Sequence, residues 1–525
     1  MDYYQKNPTY NLPRYSPSQH RRSRGPGKLI TAASIVLGFG IILTLLNIYE
    51  LHKMKEDHMI HIQPTSEGKT GQFGSKQPVV WVDGKHLESG YLTHVFAVFD
   101  RIGYAVGDSE SKWDVLWSHE YPFETLSKKL ADLKPHQRVN HFPGTGFITN
   151  KVSLATSSIP YIPKAFKIPS EKESFLKYTK EHPDKLWVQK RNSHRGIKIK
   201  KIKDLDLASD GSFVQEYVDK PFLIDKRKFD IGVYTILTSI DPLRVYIVEG
   251  EVLLRFCAAD YHPFDSTNTK KYVVDDNYTP VWEMPSLKAI FDDGMYTCKE
   301  TLDTYLEQTG RNHLKLWEDI KDSIRQVYLH KEKSLISSSS RFRNNRNFFE
   351  MVRFDFVLDD QLNVYLMEVN MSPNLSSGHF WRNKRIYEHV VYNVLSLVGV
   401  AKTTSNAFED SDMDGKDMQA SDKDVTVFPM WCSERKCMTD CQSEKCSICH
   451  QCLSRDMKSS LKHAFMEHAS RGSCRRIFPK PVSQEEALKW SLASASDEYH
   501  SLNPHNKKMY IWFMGKCRLD PGWCY

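Results

Sequence analysis

From Pro78 onward the chain alternates short apolar runs of strand character, such as "PVVWVDG" (78–84), with stretches of helical spacing, a rhythm that predicts an α/β body. The clearest local pattern lies at 351–370, where "MVRFDFVL" and "NVYLMEVN" flank the turn-like "DDQ" and predict an antiparallel hairpin. Side chains alternate along a strand, so Glu368 and Asn370 share one face and Met367 and Val369 the other, with Asp355 across the pair from Glu368. Two carboxylates and an amide therefore converge. An all-oxygen trio suits Mg2+, which takes one or two carboxylates together with substrate phosphates. The plainer reading of the same pattern is an acidic hairpin face turned to solvent. Further along, helical spacing predicts helices over about 302–330 and 385–400, separated by the polar loop "SSSSRFRNNRN" (337–347) and the hairpin.

The ends of the chain follow other patterns. Residues 29–49, "LITAASIVLGFGIILTLLNIY", carry no charge over 21 positions, enough to cross a hydrocarbon core, and predict a transmembrane helix. Arg21, Arg22, Arg24 and Lys28 before it outnumber Lys53 and Lys55 after it, so a cytoplasmic N-terminus and a lumenal or extracellular body are expected. Residues 1–28 read as a disordered basic tail and 50–77 as a polar stalk. The net charge of +7 sits mostly on that tail, where six basic residues face Asp2 alone. The body is close to neutral, which argues against nucleic acid as a partner. Residues 401–427 are acidic, poor in apolar side chains, and read as a linker.

Nine of the eleven cysteines fall in 428–525. Such density in a small module predicts a disulfide framework in an oxidising compartment, with zinc on "CSICHQC" (446–452) and His450, His463 and His468 as the rival. An odd count means that at least one cysteine is free, paired with Cys257 or Cys298, or bonded to another molecule. Asn277, Asn370 and Asn374 open N-x-[ST] sequons, so a lumenal body could carry glycans there; one on Asn370 would exclude the metal.

The hairpin sequence, "FFEMVRFDFVLDD…YLMEVNMSPNL", resembles that of the tubulin tyrosine ligase-like family. "QRVNHFPGTGFITNK" (137–151), "YIPKAFKIPSE" (161–171), "LWVQK" (186–190) and the long block 215–256 resemble further family blocks in the same order, over roughly Val79 to Val400. The resemblance implies an α/β (α+β) ATP-grasp-like ligase domain at 78–400. It implies ATP and Mg2+ as cofactors and formation of an acyl phosphate that an amino group attacks. It further implies a tubulin polyglutamylase that adds L-glutamate, or another amino acid, to tubulin or another acidic protein. Carried over by resemblance, Asp355, Glu368 and Asn370 would hold the metal. Lys151, Lys190, Arg195 and Gly196 would meet phosphates, Gln215, Glu216, Tyr217 and Val218 would line the adenine pocket, and Lys228 and Asp230 would complete the nucleotide site. Arg244 and Arg255 would lie near the substrates, and Asn277 would bind substrate.

The chain also departs from the family. Gly232 follows "KFDI" where relatives carry an arginine suited to a carboxylate or phosphate, the loop after Lys190 is short, and "VVDDNYTP" (273–280) lacks a family lysine. These departures make two alternatives concrete: a lumenal or cell-surface ATP-grasp-like protein with weak or no ligase activity, and a ligase with a non-tubulin substrate.

Overall fold

The computed structural model describes residues 77–191, 198–208, 210–342, 344–401 and 420–525. The tail, segment 29–49 with its expected transmembrane helix, nearly all of the expected stalk, Arg195, Gly196 and residues 402–419 lie outside them. Among the described residues no helix is long and apolar enough to cross a membrane.

Three sheets follow one another along the chain. The first holds β1 (Val79–Asp83), β2 (Ala105–Gly107), β3 (Val115–Ser118) and β4 (Arg138–Val139), parallel and in the order β2-β1-β3-β4. Helix α1 (Thr93–Arg101) makes the β1–β2 crossover and buries Val95, Val98 and Phe99. Parallel strands need such crossovers, and the near-continuous apolar burial of β1 and β3 is the expected consequence, whereas β2 at the edge leaves Val106 exposed. The second sheet is antiparallel: β5 (Ala165–Ile168), β6 (Trp187–Arg191), β7 (Lys198–Lys200) and β8 (Ser212–Glu216) in the order β5-β8-β6-β7. It has its own small core, where Phe166, Phe175 of α2 (Lys172–Glu181), Trp187 and Val214 pack together.

The third sheet is the centre of the molecule. Its path is β12-β11-β10-β13-β14, built from β10 (Arg227–Ile240), β11 (Leu243–Phe256), β12 (Thr279–Pro280), β13 (Glu350–Leu358) and β14 (Val364–Asn370), with the short β9 (Leu223–Ile224) on β10. Helix α3 (His313–Ser339) lays Leu316, Ile320, Ile324, Val327, Tyr328 and Leu335 against the core at helical spacing, and α4 (Asn383–Leu397) buries Val390, Val391 and Val394.

Two expectations are corrected. The single helix over about 302–330 is two helices, Cys298–Gln308 and α3, because Gly310 takes a left-handed turn (φ +71°) and the Asn312 side chain then caps the next start. The cysteine-rich segment is no separate module behind a linker reaching 427. Val425 and Val427 are buried in the main core together with Trp512 and Ile477. Strand β15 (Cys474–Phe478) pairs with β11 from Val245 to Val248, so the segment completes the central sheet. Its helices α5 (Arg455–Ala469) and α6 (Pro504–Leu519) pack beside it.

Eight of its cysteines pair as Cys432–Cys449, Cys437–Cys446, Cys441–Cys452 and Cys517–Cys524, leaving Cys474 free and buried on β15. The histidines of the zinc alternative are otherwise engaged: His450 with Asp422, His463 with the Ser459 carbonyl, His468 stacked on Trp523. No metal-type cluster of three or more His, Cys, Asp or Glu occurs among the described residues.

Candidate active site

The hairpin positions the first group of side chains. Asp355 pairs with Glu368 and Arg353 with Asn370 across β13 and β14, and a bulge next to Asp355 leaves Met367 without a partner. The Asn370 amide donates to Asp355 Oδ2 (2.9 Å) and Glu368 Oε1 (3.4 Å), so the three oxygen-bearing side chains do converge. Acid and amide alternate with apolar neighbours because the strand period is two.

A pinned loop supplies the next group. Glu350, the first residue of β13, accepts from the Phe142 amide (2.8 Å) and the Thr145 hydroxyl (2.6 Å) and pairs with His141 (2.8 Å), all buried. Gly144 (φ +87°) lies so close to Ser338 that a Cβ there would stand 2.8 Å from it. The segment "NHFPGTGFITNK" is therefore fixed to the central sheet, and Asn150 caps the short helix Lys151–Ala155 by accepting from the Val152 and Ser153 amides. Lys151, at that helix start, reaches Glu368 Oε2 at 2.7 Å.

Strands β10 and β11 add a charged ladder. Arg255 grips Asp230 with both Nε (2.9 Å) and Nη2 (2.8 Å) and also donates to Asp355 Oδ2 (2.8 Å). Arg353 donates to both Asp355 oxygens, at 2.7 and 2.9 Å. From the second sheet, Lys190 donates to Gln215 Oε1 (2.9 Å). Buried Lys228 lies over the Tyr217 ring and donates to the Tyr272 carbonyl (3.2 Å), while Tyr217 and Tyr261 share a hydroxyl hydrogen bond.

Electrostatics follow from this crowding. Burial pushes Lys190 down to about 8, only partly countered by Glu368. Burial likewise lowers Lys228 and raises Asp230 to about 6 against the pull of Arg255. For Asp355 burial acts upward, but Arg353 and Arg255 outweigh it and hold the carboxyl below its ordinary value. Burial and Asp355 push Glu368 up, yet Lys151 and Lys190 leave it lowered too. Asp230 faces one guanidinium where Asp355 faces two. Five cations (Lys151, Lys190, Lys228, Arg255, Arg353) face three carboxylates (Asp230, Asp355, Glu368), a formal surplus of two positive charges that suits a polyphosphate. A cavity of about 1070 Å³ opens beside Lys151 and Asn370 and is lined also by Glu120, Phe147 and Arg341.

The oxygen set fits Mg2+. Asp355, Glu368 and Asn370 are hard donors on one face, and turning the Asn370 amide would direct its oxygen to the space its NH2 now fills.

Most expected residues meet here, and some do not. Gln215 is buried in the cleft, Tyr217 lines it, and Val218 follows them out of β8. The Glu216 side chain pairs instead with Lys185. Asn277 is exposed, three residues before Pro280, the partner of Arg255 in the sheet. Arg244 is elsewhere: it sits at the far end of β11, buried, with Nε and Nη2 each 2.8 Å from Glu467 of α5. Its fork is used up in docking that helix to the sheet. Arg353 was the residue the motif left unassigned, although its place two positions before Asp355 puts it on the same strand face.

A parallel-stranded first layer, an antiparallel second sheet and a central sheet that together enclose a lysine-rich, carboxylate-bearing cleft define an ATP-grasp-like, nucleotide-dependent ligase architecture. The model of the Tubulin-tyrosine ligase family matches residues 128–407, more than half of the 525. A Caenorhabditis elegans protein named "Probable tubulin polyglutamylase ttll-15" is 41% identical over 465 residues, 86% of this chain and 87% of its own length. The human tubulin polyglutamylase TTLL6 is 26% identical over 341 residues, and the human tubulin monoglutamylase TTLL4 is 28% identical over 297. Those matches cover 60% and 53% of this chain but 37% and 24% of the human proteins. The chain belongs to the tubulin-tyrosine ligase family.

Proposed function

We propose that this protein is an ATP-dependent carboxylate–amine ligase that adds glutamate to a protein glutamate side chain, with tubulin the acceptor that its relatives' names indicate. The observation that carries it is the cation-rich cleft around Asp355, Glu368 and Asn370. The acceptor carboxylate takes the terminal phosphoryl group of ATP with ADP as the leaving group; the amine of the incoming amino acid then attacks the acyl carbon, phosphate leaves as the amide forms, and the amine's proton passes to solvent. Lys151, Lys190 and Lys228 neutralise the phosphates, and Gln215, Tyr217 and Val218 border the base. Asp355, Glu368 and Asn370 would hold Mg2+, which would supply charge neutralisation at the phosphates. In the neighbouring cavity Arg341 offers a partner for a carboxylate and Glu120 one for an ammonium. Glu368→Gln should lower ATP-dependent glutamate incorporation by about 100-fold or more. Full activity in that variant would sink the proposal.

One observation favours a second reading of the acceptor. Four disulfides belong to an oxidising compartment. Together with the uncharged segment 29–49, they support a membrane-anchored protein with a lumenal or extracellular body and an acidic acceptor other than cytosolic tubulin. Asn277 and Asn374 are exposed, whereas the Asn370 amide is held by Asp355. Expressed in secretory cells, the full chain should lose mass on peptide-N-glycosidase treatment. Asn277→Gln and Asn374→Gln should each remove part of that loss and Asn370→Gln none. An unglycosylated chain with free thiols would return the body to the cytosol.

A further inference from the structure

We infer that Arg353 is a positioning residue for Asp355, and that the bare glycine at 232 is what admits its guanidinium. The inference rests on the ligase reading of the cleft. Gly232 pairs with Asp355 across β10 and β13, so both point to the face that Arg353 shares. A Cβ built on Gly232 would stand 2.8 Å from Arg353 Cδ, 3.1 Å from its Nε and 3.2 Å from Asp355 Oδ1. The first of these separations is one that no real side chain keeps. The stem of Arg353 therefore crosses the place where a residue-232 side chain would begin.

What the guanidinium does there is specific. Among the described residues Arg353 alone donates to both oxygens of Asp355; Arg255 spends its fork on Asp230 and reaches Asp355 with Nη2 only. A planar fork on two oxygens fixes the carboxylate plane, which a single point charge cannot do. Arg353 is 5% exposed and cannot swing out to serve solvent. The absence of an arginine at 232 is thus no loss of charge: one guanidinium reaches the cleft from β13 in place of β10.

A double-mutant cycle of Gly232→Arg and Arg353→Gly tests this, read by the urea midpoint of the nucleotide-free protein and by the Mg2+-dependent affinity for ATP. Each single change should lower the midpoint and weaken Mg2+-dependent ATP binding by about 10- to 100-fold, as loss of an outer-shell partner does. The double variant should regain both, to within about threefold in affinity, because the fork again has a strand to come from and room to sit. Arg353→Lys should stay weak, which a plain structural ion pair would not require. Additive losses in the double variant, or tighter Mg2+-dependent binding in Arg353→Gly, would overturn the inference. If the wild-type chain bound no ATP with Mg2+, the ligase reading would fall, and the nucleotide-free cycle would still decide whether the two positions share one guanidinium.

Discussion

Strand β11 carries two arginines, Arg244 and Arg255, at opposite ends and roughly 35 Å apart at strand rise. Both make two-pronged contacts with a carboxylate, yet they do different work. Arg244 meets one acid, Glu467, which also accepts from Thr238 and Tyr246; the set is buried and closed. Arg255 is shared between Asp230 and Asp355, and the chain of contacts runs on through Arg353 and Asn370 to Glu368 and Lys151. A closed pair holds elements together. An open ladder with more cations than acids, ending at a cavity, is poised to take in an anionic ligand. The number of carboxylates around an arginine, more than its burial, separates the two ends.

The largest effect that would break this comparison is at the closed end. Glu467→Gln leaves a buried guanidinium uncompensated and should cost about 3–5 kcal/mol of stability in chemical denaturation, with kcat and KM of the folded fraction unchanged. Replacing Arg244 and Glu467 together by Met and Leu should recover only part of that loss, because an apolar pair substitutes for the buried ion pair while the Thr238 and Tyr246 hydroxyls lose their acceptor. A fall in turnover without a fall in stability would place Arg244 in the chemistry after all.

The same contrast explains what the sequence could convey. The trio Asp355, Glu368 and Asn370 was legible because a hairpin has a period of two and three polar side chains on one face have no packing reason to be there. Arg353 obeys the same period and went unassigned, since an arginine in a strand reads as an ion-pair partner until the residue opposite Asp355, the carboxylate it grips, is known to be a glycine. Arg244 could not be placed at all from its strand, because position along a 14-residue strand decides which end of the molecule it serves. The cysteines signalled disulfides by density, but their pairing and the insertion of β15 beside β11 are long-range facts that composition does not encode. Nor does the acidic run before Ser421 reveal that Val425 and Val427 return to the core.

A smaller effect probes whether the cysteine-rich segment is part of the sheet that bears the site. Cys441 and Cys452 close an 11-residue separation, and replacing both by serine should cost roughly 2–3 kcal/mol by the chain-entropy estimate. Because β15 shares β11 with the active-site ladder, the loss should appear as one shifted cooperative transition. A separate early transition, with nucleotide binding intact above it, would show that the segment folds independently.

The smallest effect sharpens the comparison through protons. Lys190 at the open end is held near 8 by burial, against 10.5 for an ordinary lysine, whereas the Arg244 guanidinium at the closed end stays charged throughout the accessible range. Between pH 8 and 10.5 the unfolded chain keeps a proton on Lys190 that the folded chain has released, so the nucleotide-free protein should gain stability as pH rises through that window. Phosphates beside Lys190 act the other way, since they favour the ammonium and draw the proton back. ATP affinity should therefore fall by up to about tenfold per pH unit above 8, with uptake approaching one proton per nucleotide at pH 9, measurable by calorimetry in two buffers of different ionisation enthalpy. Lys190→Met should bind ATP more weakly at pH 7 and abolish both the slope and the proton uptake. A slope that survives the substitution would move the titrating group elsewhere in the cleft, with Lys228, the cleft's other lysine lowered by burial, next in line.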